Sequence, residues 1–379
     1  MPRTTAPATT VDYESTLILA VEISDRSWVV AAQVPGCQIK ARQTIRPAAD
    51  ALLATIERYK QRANSTGKSV DRVVLAYEAA HSGFWLARWL AARGVEVHVI
   101  HPTSVPVDRQ GRRPKSDKID VELLLRTLLA WLRGEPRVCT MVAIPDEAVE
   151  DARRPGRERE ELIRERIILT NRIGSVLAML GISNYSPLRR DRRARLDSLC
   201  TPLGTPLPPG ARAQIERILD RLELVLAQIA ELERQRDAVL EVEAPGNAER
   251  TIQDLVRLFG IGVQSATVLA REAFIRQFRS AKALGAYAGL TGTPYRSGGM
   301  QREQGISKAG NRRLRVTMVE LAWLWRRYQP SSAISQWFSR RLADGHGRMK
   351  KVLIVALARK LLIALWKYTT QGALPEWLR

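Results

Sequence analysis

Between Leu17 and Ile100 the chain alternates short apolar runs with polar breaks. LILAVEIS (Leu17–Ser24), WVVAAQV (Trp28–Val34) and QIKARQTI (Gln38–Ile45) are rich in β-formers and separated by turn-like breaks, which predicts three meandering strands. Ala48–Arg62 carries apolar residues at helical spacing. A buried strand is predicted at RVVLAYEAA (Arg72–Ala80), a helix at Gly83–Arg93 and a strand at VEVHVI (Val95–Ile100). Three strands followed by helix, strand, helix, strand is the element order of an RNase H-like α/β domain, although other α/β domains share parts of it.

Past Lys118 the pattern turns helical as far as Trp131, and Asp151–Gly181 reads as one arginine-rich helix. TPLGTPLPPG (Thr201–Gly210) is a linker. The helix after it has a clean heptad: Ile215, Ile218, Leu222, Val225, Ile229 and Leu232 fill successive a and d positions, Arg236 breaks the seam and Val239 resumes it. The heptad predicts a coiled coil, either an intramolecular hairpin with the arginine-rich helix or a subunit contact. Val352–Trp366 is strongly apolar but contains Arg359 and Lys360 and is too short to span a bilayer, so a buried helix is expected and no membrane partner. The expected division is a tail at 1–14, the α/β domain at 15–150, an arginine-rich helix with coiled coil at 151–244, and a mostly helical module at 245–379.

Charge separates these modules. The chain has 60 Lys and Arg against 39 Asp and Glu, a formal net charge of +21, and 45% hydrophobic residues argue against global disorder. From Pro245 to Arg379 there are 23 basic and 7 acidic residues, so most of the excess sits in the last module. That points to a polyanion, nucleic acid first. The three cysteines and four histidines have no zinc-ligand spacing. They exclude a zinc finger and a disulfide framework, and a reducing, cytoplasmic compartment is expected.

Four carboxylates draw attention within the α/β domain. Glu22 closes the first strand, Glu78 closes the buried fourth, and Asp117 and Asp120 lie three apart at the start of a helix in KSDKID. In an RNase H-like sheet the first and fourth strands are neighbours, so Glu22 and Glu78 are expected to meet, facing the aspartates. Oxygen donors without His or Cys suit Mg²⁺ or Mn²⁺. Asp117 could instead be a helix N-cap.

The basic module opens with DLVRLFGIGVQSATVLAREAF (Asp254–Phe274), two amphipathic segments around Gly260 and Gly262. This is the pattern of a helix-hairpin-helix, whose backbone can hold a phosphate, and equally of an ordinary helical hairpin. GLTGTPYRSGGMQREQGISKAGNRRLR (Gly289–Arg315) reads as a flexible basic loop. Ser297, beside Arg296, is a candidate nucleophile or phosphate ligand. Ser307 is a candidate phosphate ligand or the N-cap of the following helix. Arg302, Lys308, Asn311, Arg312, Arg313 and Arg315 complete the expected nucleic-acid contacts.

The ordered motifs VEIS, YEA, KSDKID, LFGIG and GLTGTPYRSGG…GISKAGNRRLR resemble the DEDD-type transposases of insertion sequences, a family related to the Piv/MooV invertases and including bridge-RNA-guided recombinases. The resemblance runs from about Leu17 to Tyr368. It implies a RuvC-like site of Glu22, Glu78, Asp117 and Asp120 holding Mg²⁺ or Mn²⁺, with Ser297 as the catalytic serine. It also implies double-stranded DNA and a structured bridge RNA as partners, a homo-oligomer (dimer or tetramer), and a nucleoid-associated location in a bacterium. The family's first acid is an aspartate in a DVSK-like pattern, whereas here it is Glu22 in EISD. The extra methylene moves a carboxylate by more than ~1 Å, which can cost on the order of a hundredfold in rate. The expected function is therefore a recombinase working through a serine-phosphodiester intermediate. Its alternatives are a RuvC-like, metal-dependent junction nuclease and a catalytically decayed nucleic-acid-binding protein.

Overall fold

In a computed structural model the described residues are 11–38, 40–79, 83–105, 117–135, 138–243, 246–297, 300–344 and 349–372. For residues 117–118, 295–297, 300–304 and 344 the description covers the backbone alone. Most of the predicted tail and the Gly298–Gly299 pair lie outside the described residues. The chain forms two compact units, one running up to Asp146 with Phe278–Ala283, the other comprising Glu147–Gln277 and the chain from Leu284.

The first unit is built on strands β1 (Thr16–Ile23), β2 (Trp28–Gln33), β3 (Ala41–Ile45), β4 (Arg72–Glu78), β5 (Glu96–Ile100) and β6 (Met141–Val142), with helices α1 (Ala49–Asn64), α2 (Trp85–Ala91) and α3 (Asp117–Leu132). The sheet order is β3-β2-β1-β4-β5-β6. β1, β2 and β3 form an antiparallel meander, whereas β4 runs parallel to β1 and to β5. This is the mixed α/β architecture that the element order predicts; β6, two residues long and antiparallel to β5, was too short to show in the pattern.

Period-two alternation sorts the strand side chains onto two faces. Leu17, Leu19 and Val21 of β1 join Val73, Leu75 and Tyr77 of β4 in a core closed by Leu52 and Ile56 of α1 and Leu86 and Leu90 of α2. Ile18 and Ala20 join Val74 and Ala76 on the opposite face, which Val121, Leu124, Leu125 and Leu128 of α3 cover. Burial on both faces explains why β1 and β4 read as continuous apolar runs.

In the second unit the predicted arginine-rich helix is α5 (Arg154–Ala178), and a short helix, α4 (Glu147–Asp151), precedes it. Pro155 accounts for the break: it fits the first turn of α5 but has no N–H to continue a helix from α4. After α6 (Arg192–Asp197), the heptad segment forms α7 (Pro209–Asp237). Ile215, Ile218, Leu219, Leu222, Val225 and Ile229 of α7 share one core with Leu162, Leu169, Ile173, Val176 and Leu177 of α5. The seam is thus filled from within the chain, and the coiled coil is an intramolecular hairpin.

The remaining helices are α8 (Asn247–Val256), α9 (Val263–Val268), α10 (Ala281–Tyr287), α11 (Arg312–Tyr328), α12 (Ala333–Asp344) and α13 (Lys350–Gln371). α13, the apolar stretch near the C-terminus, buries Leu353, Leu357, Leu361 and Leu365 and packs on α11 and α12. Among the described residues no helix is long and apolar enough to cross a membrane. Gly260, at φ 97°, lies between α8 and α9, and a turn of π-helix (Leu269–Phe274) continues α9. The predicted basic loop is instead a β-hairpin of β7 (Gly292–Ser297) and β8 (Met300–Ile306).

Candidate active site

The register brings the ends of β1 and β4 level. Val21 pairs with Tyr77, so Glu22, one residue before the end of β1, and Glu78, the last residue of β4, follow at the same height. Alternation puts both on the face of Ile18, Ala20, Val74 and Ala76, the face that α3 covers. Both are half-buried. Asp120 lies one helical turn before the buried Leu124 of α3, and Asp117 one turn before the buried Val121, so both aspartates occupy the start of the helical stripe that meets this face. The strand positions of Glu22 and Glu78 thus lie on the sheet face that the helix of Asp117 and Asp120 covers.

An all-carboxylate donor set suits a hard divalent cation. Among the described residues, however, no three His, Cys, Asp or Glu side chains stand close enough to hold a metal ion. Asp117, whose side chain lies outside the described residues, is the fourth member of the expected set. Glu22 and Glu78 share a face and a level of the sheet.

The second unit positions the serines. Ser297 is the last residue of β7 and pairs with Met300 at the turn end of the hairpin. Arg296 pairs with Gln301, and Tyr295 with Arg302. At the other end the hairpin is pinned to the helices: the Ser307 N–H donates to the Thr291 carbonyl at 2.9 Å, and the Asn311 N–H to the Tyr287 carbonyl at 2.7 Å. Gly310 makes the close approach possible. Its φ is 121°, and a Cβ there would sit 2.3 Å from the Tyr287 carbonyl oxygen. Lys308, at φ 53°, is held by Arg315, which donates to the Lys308 carbonyl at 2.9 Å.

Glu272 lies beneath this pinned end. The π-helical turn carries it, and it is 3% exposed. It accepts from Asn311 Nδ2 at 3.0 Å and Arg313 at 3.3 Å, and Arg157 stands 3.5 Å away. Burial raises its pKa, but Arg157, Asn311, Arg153 and Arg313 outweigh burial and hold the carboxyl below its ordinary value. Arg313 also donates to Glu160 of α5 at 2.5 Å and to the Gly156 carbonyl at 2.8 Å. The network ties α5, the π-turn and the start of α11 into one body.

Comparison with known proteins identifies the family. A transposase model of the DEDD type from IS110 elements matches residues 21–181, and the model described as the transposase IS116/IS110/IS902 family matches residues 253–338. A Sinorhizobium fredii protein named as a transposase, y4rJ, is 45% identical over 370 residues, covering 95% of this chain and 93% of that one. The chain belongs to the IS110/IS116 family of transposases. A family 20 transposase of Pseudomonas aeruginosa is 31% identical over 77% of this chain and 82% of its own. The transposase of insertion element IS1328 from Yersinia enterocolitica is 29% identical over 79% and 84%.

The transposase uses several of the expected nucleic-acid contacts for its own structure. Asn311, not Ser307, is the N-cap of α11: its side chain accepts from the Leu314 N–H at 3.0 Å, while its amide donates to Glu272 and Tyr287. Arg313 is 13% exposed and saturated by Glu160, Glu272 and Gly156. Both side chains are occupied inside the protein. Ser307, Lys308 and Arg312 are exposed, and Arg315 is half-buried against the Lys308 and Ala288 carbonyls. The side chains of Ser297, Arg296 and Arg302 lie outside the described residues. Gly260 and Gly262 flank Ile261 in the turn between α8 and α9, a geometry common to a helix-hairpin-helix and an ordinary helical hairpin. Sequence reasoning missed Glu272, although a lone carboxylate in the apolar run ATVLAREAF is the same signal that marked Glu22.

Proposed function

We propose that this transposase cuts and rejoins the DNA of a mobile element through a serine-phosphodiester intermediate, with Ser297 as nucleophile. The observation that carries the reading is the position of Ser297 at the turn end of a β-hairpin whose opposite end is pinned by Ser307–Thr291 and Asn311–Tyr287 backbone bonds. Pinning the base fixes where the hairpin projects, and the β7–β8 ladder carries that placement toward Ser297. Ser297 Oγ forms a bond to the scissile phosphorus, the bond to the bridging DNA oxygen breaks, and that oxygen leaves as a hydroxyl after taking up a proton. The phosphoserine link keeps the bond energy, so attack by another DNA hydroxyl rejoins strands and frees the serine.

Exposed Lys308 and Arg312, with Arg296, Arg302 and Arg315 nearby in the chain, would neutralise the phosphates flanking the cut. Backbone N–H groups around Gly260 and Gly262 would add a contact indifferent to sequence. Glu22, Glu78, Asp117 and Asp120 would hold Mg²⁺ or Mn²⁺, which supplies electrostatic stabilisation of charge on phosphate oxygens. The resemblance to bridge-RNA-guided recombinases extends the reading to a structured RNA that selects the DNA, and to a multimer in which one copy's serine meets another's acids.

The level pair Glu22 and Glu78 favours a second reading, hydrolysis of DNA by an activated water with no role for a serine. A covalent-trapping assay separates the two. Protein, Mg²⁺, flanking non-coding RNA and labelled junction DNA are mixed, denatured and run on a gel. A DNA–protein adduct absent from Ser297→Ala is the expected result. Cleavage without adduct moves the chemistry to the acids, and binding with neither product returns the chain to a decayed binding protein.

A further inference from the structure

The segment 151–243, which contains the α5–α7 hairpin, has seventeen arginines and no lysine. Most have partners within the chain: Arg159 pairs with Glu233, Arg192 with Glu223, Arg193 with Asp220 and Glu223, and Arg212 with Asp197 and Glu216. Arg172 of α5 and Arg217 and Arg221 of α7 are exposed and make no hydrogen bond or ion pair among the described residues. All three line one groove of about 730 Å³ between the two helices. Asn171, Ser175 and Gln214 line it too, the floor includes Val176 and Ile218, and no carboxylate contributes.

Three guanidinium groups converging without an anion repel one another, and Arg217 and Arg221 stand four apart on one helix, where like charges destabilise. No carboxylate among the groove's lining residues compensates this, although carboxylates neutralise most of the other arginines of this segment. A second copy of the same groove would bring three more cations and is excluded by charge. We propose that the groove is a docking surface for the DNA backbone, separate from the Ser297 hairpin. The four-residue separation of Arg217 and Arg221 is about 6 Å along α7. Two steps along one DNA strand advance by roughly 6.8 Å. The pair can therefore meet phosphates two steps apart while Arg172 reaches a third from the facing helix. Asn171, Ser175 and Gln214 add neutral donors for phosphate oxygens. The inference rests on DNA being the substrate and extends the contact surface along the hairpin.

The test is a salt titration of binding to a fluorescent DNA duplex of arbitrary sequence, read by anisotropy, using the full chain. Replacing Arg172, Arg217 and Arg221 by alanine removes three phosphate contacts and should flatten the slope of log K against log salt by about 2.7. A control triple, Arg154→Ala, Arg164→Ala and Arg234→Ala, removes equal charge from exposed arginines paired with Asp151, Glu161 and Glu231. Its slope should stay near that of the wild type. A triple lysine replacement in the groove should keep the wild-type slope, and Arg217→Gln alone should flatten it by about 0.9 even if the alanine triple does not fold. Equal slopes for wild type and groove variants overturn the proposal, as does equal flattening in the control. Flattening on a hairpin RNA but not on DNA assigns the groove to RNA and overturns it too. A wild type that binds no duplex at all defeats both this inference and the recombinase reading, whereas tight binding with an unchanged groove slope defeats this one alone.

Discussion

Removing the Glu272 carboxylate should cost the second unit about 3 kcal/mol. Breaking a buried ion pair by deleting one partner typically costs about 3–5 kcal/mol, because the partner is left as an uncompensated buried charge. The partners decide where in that range the loss falls. Arg313 keeps Glu160 and the Gly156 carbonyl, Asn311 keeps the Tyr287 hydroxyl at 3.2 Å, and Arg157, 55% exposed, can turn to water. Arg153, 6% exposed, keeps the Arg271 carbonyl at 2.9 Å but loses a neighbouring anion. The lower end is therefore expected. At about 2–4 °C per kcal/mol for a unit of this size, Glu272→Ala should melt about 6–12 °C below the wild type. Glu272→Gln keeps the shape and an acceptor for Asn311, so its loss should be smaller. The pH dependence has a fixed sign: the folded carboxyl is held below its ordinary value of 4.5, so its stabilisation is present above that value and disappears as pH falls through the depressed one. The gap between wild type and Glu272→Gln should accordingly close in acid. Near-UV circular dichroism melts read both effects. A Glu272→Ala protein melting within about 1 °C of wild type at neutral pH would falsify the ion-network account.

Gly310→Ala places a Cβ 2.3 Å from the Tyr287 carbonyl at a φ of 121°, so strain of about 2 kcal/mol or more should loosen the base of the β7–β8 hairpin. Limited proteolysis should then cut near that hairpin before the rest of the unit, and an unchanged pattern would refute the pinning. Glu223 is held at about 2, chiefly by its hydrogen bond to Arg193 and then by Arg192 and their charges, against burial. Its contribution should be intact above an ordinary value of 4.5 and lost as pH falls toward about 2, so helix content in Glu223→Gln and wild type should differ at neutral pH and converge in strong acid. Glu78→Ala should lower Mn²⁺ binding, followed by electron paramagnetic resonance, while melting within about 2 °C of wild type; undiminished binding removes Glu78 from the site.

The sequence made legible whatever rests on periodicity. β1 and β4 are buried on both faces, so their apolar runs stand out, and register follows once the fold class is known. The α7 heptad predicts a seam, and Ile173, Val176 and Leu177 of α5 supply its inner partner. The β7–β8 hairpin escaped because arginines and glycines dominate the composition there. Yet Gly298-Gly299 between two six- to seven-residue segments is itself a hairpin signal. Burial of polar groups was harder to read. Asn311 and Arg313 sit in a run of cations that looks exposed, and only the packing of α11 against α5 and the π-turn turns them inward.

Glu272 and the Glu22–Glu78 pair carry the same mark in the sequence, a lone acid in an apolar run, and the structure separates their physics. Glu272 meets cations of its own chain: Arg153, Arg157 and Arg313 converge on it and keep it ionised despite burial. Its charge is consumed in holding α5 to the start of α11. Glu22 and Glu78 stand near the ends of adjacent parallel strands, at one level and on one face of the sheet that a helix beginning with two more acids covers. On the proposed reading, these acids are the ones that a multivalent cation from solution would use. The contrast explains why deletion of one glutamate should lower the melting temperature while deletion of the other should lower metal affinity and leave stability nearly unchanged.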